Sequence, residues 1–194
     1  LGKMPGDRED KFANLKLAYA YMCGHPGKKL LFMGQEFGQW NEWSEKRALD
    51  WYLLEDDSHK ELKDFTKACL ILNKKYRCLY ETDYSPEGFR WINANDKDNS
   101  VFSFIRISPD KKRHLLFVFN FTPVERPNHR IGVPVKGKYK LVLGDDMKNQ
   151  KKTLTSVRGE CDGYKESLLI DLHRYGIAVY EFNGDVNAHK PTNI

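Results

Sequence analysis

Apolar residues recur at helical spacing near the start of the chain. Phe12, Leu15, Tyr19 and Met22 stand three, four and three positions apart, which places them on one helical face. Asp7 is placed to cap that helix, and Asp10 adds negative charge near its positive end. Gly24 and Pro26 then stop it, because glycine accepts a left-handed ending and proline cannot donate the next helical bond. The pattern predicts a helix over residues 8–23.

Lys28-Lys29-Leu30-Leu31-Phe32-Met33-Gly34 is a short apolar run bounded by glycines, predicted to be a strand buried on both faces, as in a helix-covered parallel sheet. Residues 35–54 show no sustained period and read as a polar and aromatic loop. A second helix opens where Ser58 and Glu61 have capping-box spacing, and Leu62, Phe65, Cys69, Leu72 and Tyr76 carry its apolar face to about residue 77.

After about residue 80 the pattern changes to short β-branched and aromatic runs. They lie at 89–92, 101–107, 115–121, 139–143, 168–172 and 177–182, and suggest five to eight antiparallel strands in a sandwich. Residues 184–194 are polar, contain Pro191 and read as a surface tail.

Composition narrows this picture. A chain of 194 residues is too short for a complete barrel of eight strand-helix units, which takes ~250 residues. Eleven Phe, ten Tyr and four Trp supply the bulk of a sizeable core. The net charge of +5 is spread along the chain, and the pairs Lys28-Lys29, Lys74-Lys75 and Lys151-Lys152 and the triplet Lys111-Lys112-Arg113 read as solvated surface, so neither nucleic acid nor membrane is expected as a partner. No run approaches a membrane span, and the first residues lack secretory-signal order, which makes the cytoplasm the expected compartment. Cys23, Cys69, Cys78 and Cys161 form no C-x-x-C pair and are expected to be reduced. The six histidines show no metal-ligand spacing, and no glycine-rich phosphate-binding motif occurs, so neither a metal nor another cofactor is expected.

Candidate chemistry concentrates in Gly34-Gln35-Glu36-Phe37-Gly38-Gln39-Trp40-Asn41-Glu42-Trp43. Carboxylates, amides and indoles together suit sugar recognition, because hydroxyls need fixed donors and acceptors while a pyranose face lies against a ring. The same residues also suit plain packing at a strand end. Glu36 and Glu42 do not establish a catalytic carboxylate pair, and Asp50 beside Trp51 and Asp7 beside Arg8 read as caps or ion pairs. Trp91, Tyr139 and Tyr164 are either surface platforms or core residues of the β-rich half.

These stretches resemble the C-terminal part of bacterial glycogen branching enzymes, the 1,4-alpha-glucan branching enzymes of the alpha-amylase superfamily. The resemblance rests on Lys3-Met4-Pro5-Gly6-Asp7, Phe12-Ala13-Asn14-Leu15, Pro26 through Gly34, Glu36-Phe37-Gly38-Gln39 with Glu42-Trp43, Leu49-Asp50-Trp51 and Asn120-Phe121-Thr122-Pro123. It is strong from residue 3 to about 123 and weaker beyond.

The resemblance implies an α/β remnant, the last helix-strand-helix of a TIM barrel, in residues 1–78, followed by an all-β antiparallel sandwich domain of alpha-amylase type in residues 79–194. Leu30 to Met33 would be the eighth barrel strand, and the lone predicted strand would find its neighbours elsewhere in the enzyme. The family cleaves an alpha-1,4 bond in glycogen or amylose and transfers the segment to a C6 hydroxyl with retention. Its catalytic carboxylates lie on earlier barrel strands, so no residue of this chain inherits a catalytic role and the isolated chain is expected to be inactive. Glu36, Gln39, Trp40 and Trp43 are implied as candidates for the rim of the glucan cleft. The remaining barrel is the implied partner, and self-association through exposed barrel surface is the expected consequence of its absence. A non-catalytic carbohydrate-binding or interaction module, and part of a related glucan hydrolase, remain the competing readings.

Overall fold

The structure is a computed structural model describing residues 1–110 and 112–188, so Lys111 and residues 189–194 of the polar tail lie outside the described residues. Among the described residues, helix α1 (Arg8–Gly24) and helix α2 (Asp57–Lys75) precede nine strands. These are β1 (Phe89–Asp96), β2 (Val101–Arg106), β3 (His114–Asn120), β4 (Arg126–Val133), β5 (Lys138–Gly144), β6 (Thr153–Thr155), β7 (Val157–Cys161), β8 (Tyr164–Leu172) and β9 (Ile177–Phe182). They form a six-stranded sheet ordered β1-β2-β3-β9-β5-β6 and a three-stranded sheet ordered β4-β8-β7, with every pair antiparallel.

Alternation along the central strands divides the interior into two layers. Leu116 and Val118 of β3 and Ala178 and Tyr180 of β9 face the three-stranded sheet, where Ile131, Val133, Leu168 and Ile170 meet them. Leu115, Phe117 and Phe119 of β3 with Ile177 and Val179 of β9 face the helices, against Leu17, Ala20 and Cys23 of α1 and Phe65, Cys69 and Leu72 of α2. The large sheet is therefore covered on both faces, which explains why every residue of β3 is buried. Helix α1 is also buried on two sides: Phe12, Leu15 and Tyr19 pack with Leu62 in a third cluster beneath the loop of residues 35–43.

All six strands expected after residue 80 are present. The helix boundaries agree closely, and the Asp7 carboxylate caps α1 by accepting from the Asp10 amide at 2.9 Å. At α2 the cap is Asp56, whose carboxylate accepts from the Ser58 amide at 2.8 Å. The Ser58–Glu61 box does not form, because the helix begins one residue before Ser58 and that residue is already inside the first turn. Residues 28–33 are not a strand: they join no ladder among the described residues, and Leu30 is 77% exposed while Phe32 and Met33 are also exposed. A strand exists only through its neighbours, and none runs beside this segment. Tyr139 and Tyr164 are core residues, whereas Trp91 sits at the surface against Phe89 and Phe104. No helix among the described residues is long and apolar enough to cross a membrane.

One buried ion pair joins the helices to the sheet. Arg106 at the end of β2 is fully buried, with Nη2 donating to Asp83 Oδ1 at 3.0 Å and Nη1 donating to the Gly24 carbonyl at 2.8 Å. Asp83 also accepts from the Gly27 amide. Removing one partner leaves the other charged and buried, so Asp83→Ala should lower stability by about 3–5 kcal/mol in denaturant unfolding, and a loss below about 1 kcal/mol would contradict this assignment.

A second link is sensitive to pH. His173, in the β8–β9 connection, bonds through Nδ1 to Asp145 Oδ2 at 2.7 Å, and this bond raises the imidazole pKa above its ordinary 6.5. The stabilisation is therefore complete below pH 6.5 and is lost as pH rises through the folded-state value. The stability difference between the chain and His173→Ala should be larger at about pH 6 than at about pH 8. Thermal melts giving the same difference at both would refute the link.

Candidate functional site

The loop after α1 is shaped by where the chain must turn back. The His25 amide closes the helix on the Tyr21 carbonyl at 2.8 Å, and Lys29 Nζ donates to the His25 and Gly27 carbonyls, each at 2.7 Å. The chain then leads through residues 30–33 into a single 3-10 turn, Gln35–Phe37. Gly34 (φ 85°) and Gly38 (φ 68°) bracket that turn in left-handed conformations. A Cβ on Gly38 would also fall 2.6 Å from Leu62 Cδ2, so both backbone conformation and close approach require glycine there.

Three side chains from the two helices hold the turn by its main chain. Tyr19 OH donates to the Gln35 carbonyl at 2.5 Å, Thr66 Oγ1 to the Glu36 carbonyl at 3.2 Å, and His59 Nδ1 to the Phe37 carbonyl at 2.7 Å. Burial, reinforced by the nearby Glu36 carboxylate, keeps the Tyr19 hydroxyl protonated by raising its pKa. Phe37 itself is fully buried and packs against Trp51.

The four rim candidates occupy different positions. Gln39 is buried, and its amide is consumed internally: Oε1 accepts from the Asp50 amide at 2.9 Å and Nε2 donates to the Asn41 carbonyl at 3.1 Å. Trp40 is half-buried, edge-on to Phe12 and His59, with the Arg8 guanidinium 5.7 Å from its ring centre. Trp43 is 43% exposed and meets Phe32 edge-to-face at 5.3 Å. Gln39, Trp40 and Trp43 line one open cleft of about 370 Å³, together with Leu30, Phe32 and Met33, whereas Glu36 does not line it.

Glu42 and Asp50 have structural partners. Glu42 pairs with Lys3, and that hydrogen bond holds its carboxyl below the usual carboxylate range. Asp50 is buried and accepts from Asn41 Nδ2 at 3.4 Å and Arg47 Nη1 at 3.3 Å. Sequence reading missed Phe32 and Met33 as cleft residues because it buried them in a strand. It also missed Thr66 and His59 as anchors of the turn, although each interrupts the apolar stripe of α2 at a buried position, a signal that was available.

Residues 91–183 match the family model described as the alpha amylase C-terminal all-beta domain. Over 187 residues, covering 93% of this chain, the sequence is 46% identical to the 1,4-alpha-glucan branching enzyme GlgB of Butyrivibrio fibrisolvens. The chain belongs to the glycogen branching enzyme family.

Its similarity is to the C-terminal part of those enzymes. The enzyme of the same name from Aquifex aeolicus is 47% identical over 148 residues, or 76% of this chain. The chain spans less than a third of these relatives: 29% of the first and 24% of the second. Among solved structures, isomaltulose synthase from Klebsiella sp. LX3 superposes with a TM-score of 0.56 over 87% of this chain and 38% of its own, at 13% identity, a likeness of fold. The branching-enzyme family match includes the loop just described as well as the β-rich part.

Because the turn is held by backbone shape, Gly38→Ala should lower stability by about 1–3 kcal/mol and alter tryptophan emission as the packing of half-exposed Trp51 on Phe37 loosens. A melt unchanged from wild type, with unaltered tryptophan emission, would show that the glycine conformation is dispensable.

Proposed function

We propose that the chain supplies the end of the catalytic barrel, residues 1–78, and the C-terminal β domain, residues 79–194, of a 1,4-alpha-glucan branching enzyme. In that enzyme an alpha-1,4-glucan segment from glycogen or amylose is moved to a C6 hydroxyl, creating an alpha-1,6 branch with retention. The carrying observation is the 46% identity to a branching enzyme across 93% of the chain, the loop of residues 35–43 included. Exposure of Leu30 and Phe32 supports residues 28–33 as a barrel strand whose neighbours belong to the rest of the enzyme.

The exposed indole of Trp43 beside Phe32 offers an apolar face to a glucose ring, and Trp40 forms the inner wall of the same cleft. Gln39 acts from behind, tying residues 41 and 50 together so that the rim keeps its shape. Glu36 supports the turn from outside the cleft. A retaining transfer needs a nucleophile and an acid/base about 5 Å apart. The Lys3 and Arg47 pairings of Glu42 and Asp50 favour structural roles, and the reacting carboxylates are assigned to the remainder of the barrel. The chain alone is therefore inactive, works in the cytoplasm within the larger enzyme, and self-associates through Leu30, Phe32, Leu70 and Ile71 when separated from it.

The test replaces the matching stretch of the Butyrivibrio fibrisolvens enzyme with this chain and measures new alpha-1,6 linkages on amylose. The chimera should branch amylose, and Trp43→Ala in it should raise KM about tenfold, equivalent to ~1.4 kcal/mol, with little change in kcat. Purified chain without the barrel should form no branches. A well-folded chimera that only releases reducing ends, or branching by the chain alone, would overturn the proposal.

A further inference from the structure

Cys23 and Cys69 face each other across the helix pair. The Cys23 thiol donates to the Cys69 carbonyl oxygen at 3.2 Å, which sets its sulfur directly against that residue. They are 46 positions apart in sequence, and each is fixed by its helix in the core between helices and sheet. Both nevertheless also line a small cavity of about 220 Å³, walled by Tyr19, Met22, Lys29 and Leu70.

The two sulfurs are chemically unequal. The hydrogen bond from Cys69 lowers the Cys23 pKa against the effect of burial, helped by the positive charges of Lys29 and Arg106. The same bond, with burial, pushes Cys69 up. The other two thiols lack this arrangement: burial raises Cys78 to about 12, and burial with the neighbouring Asp162 raises half-buried Cys161 to about 11. A thiol of lowered pKa packed against the residue that carries a raised one, both on one cavity wall, is the arrangement of an attacking and a resolving cysteine.

We propose that Cys23 and Cys69 are a redox-active dithiol that small peroxides convert into a disulfide linking α1 to α2. The inference is independent of the glucan reading. The Cys23 thiolate attacks one peroxide oxygen, the O–O bond breaks, hydroxide leaves, and Cys23 becomes a sulfenic acid, oxidised by two electrons. Cys69 then attacks that sulfur, its proton joins the departing hydroxyl as water, and the S–S bond forms. One peroxide and two thiols yield one disulfide and two waters.

The experiment treats the purified chain with hydrogen peroxide, alkylates the remaining thiols under denaturing conditions, and maps the peptides. The chain starts with four free thiols. The expected result is loss of two of them, a mass decrease of two hydrogens, and a peptide joining Cys23 to Cys69 that reductant releases. In Cys69→Ser the crosslink should vanish while a sulfenic-acid trap labels Cys23, and in Cys23→Ser both crosslink and label should vanish. Oxidation of Cys161 with Cys23 and Cys69 still free, a crosslink joining other cysteines, or unlinked sulfinic acid at Cys23 in the unmodified chain would overturn the proposal.

Discussion

The buried Arg106–Asp83 pair is the constraint on which the arrangement of helices, sheet and loop depends. An arginine at the end of β2 reaches across the core to the last carbonyl of α1, while its carboxylate partner holds the Gly27 amide just beyond that helix. Three pieces of chain, residues 24–27, 83 and 106, are thereby fixed at one point out of water. Such a pair contributes less net stability than its charges suggest, because desolvating them is costly. What it specifies is position: the helix can end in one place relative to the sheet, and the loop that forms the cleft starts from that place.

The double burial of the large sheet explains why the helices and the β-rich part act as one body. Phe104, Phe117 and Phe119 present their rings to α1 and α2, so the aromatic layer of the sheet is also the seat of the helix pair. The opposite face of the same strands closes the sandwich. Boundaries drawn at residue 78 on grounds of pattern and family therefore run through a continuous apolar interior, and the two halves share contacts that neither could replace with solvent.

What was legible in the sequence follows the same physics. The six strands recognised from their apolar runs include all four central strands of the large sheet, β2, β3, β9 and β5, together with β8, the middle strand of the small one. The three missed, β4, β6 and β7, are all edges. An edge strand needs fewer apolar residues, and Pro127 with positive-φ Asn128 in β4 would disrupt a central strand but is tolerated at an edge. The second buried side of α1, Leu17, Ala20 and Cys23, was hidden because a helix buried on two faces lacks a single stripe. At the candidate site, residue types pointed to the right loop, but periodicity could not show that Gln39 faces inward or that Glu36 lies off the cleft. Those facts depend on hydrogen bonds between distant parts of the chain.

The turn at Gln35–Phe37 carries a consequence for how this loop can change over time. Its three consecutive carbonyls are gripped by Tyr19, Thr66 and His59, so its shape is written in main-chain atoms that every amino acid shares. The Glu36 side chain is consequently released from most of the work of holding the loop, while Gln35, whose Oε1 accepts from the Phe32 amide at 2.9 Å, Phe37 and the flanking glycines are not. New chemistry can be tried at that position beside the cleft without first reinventing the scaffold that presents it.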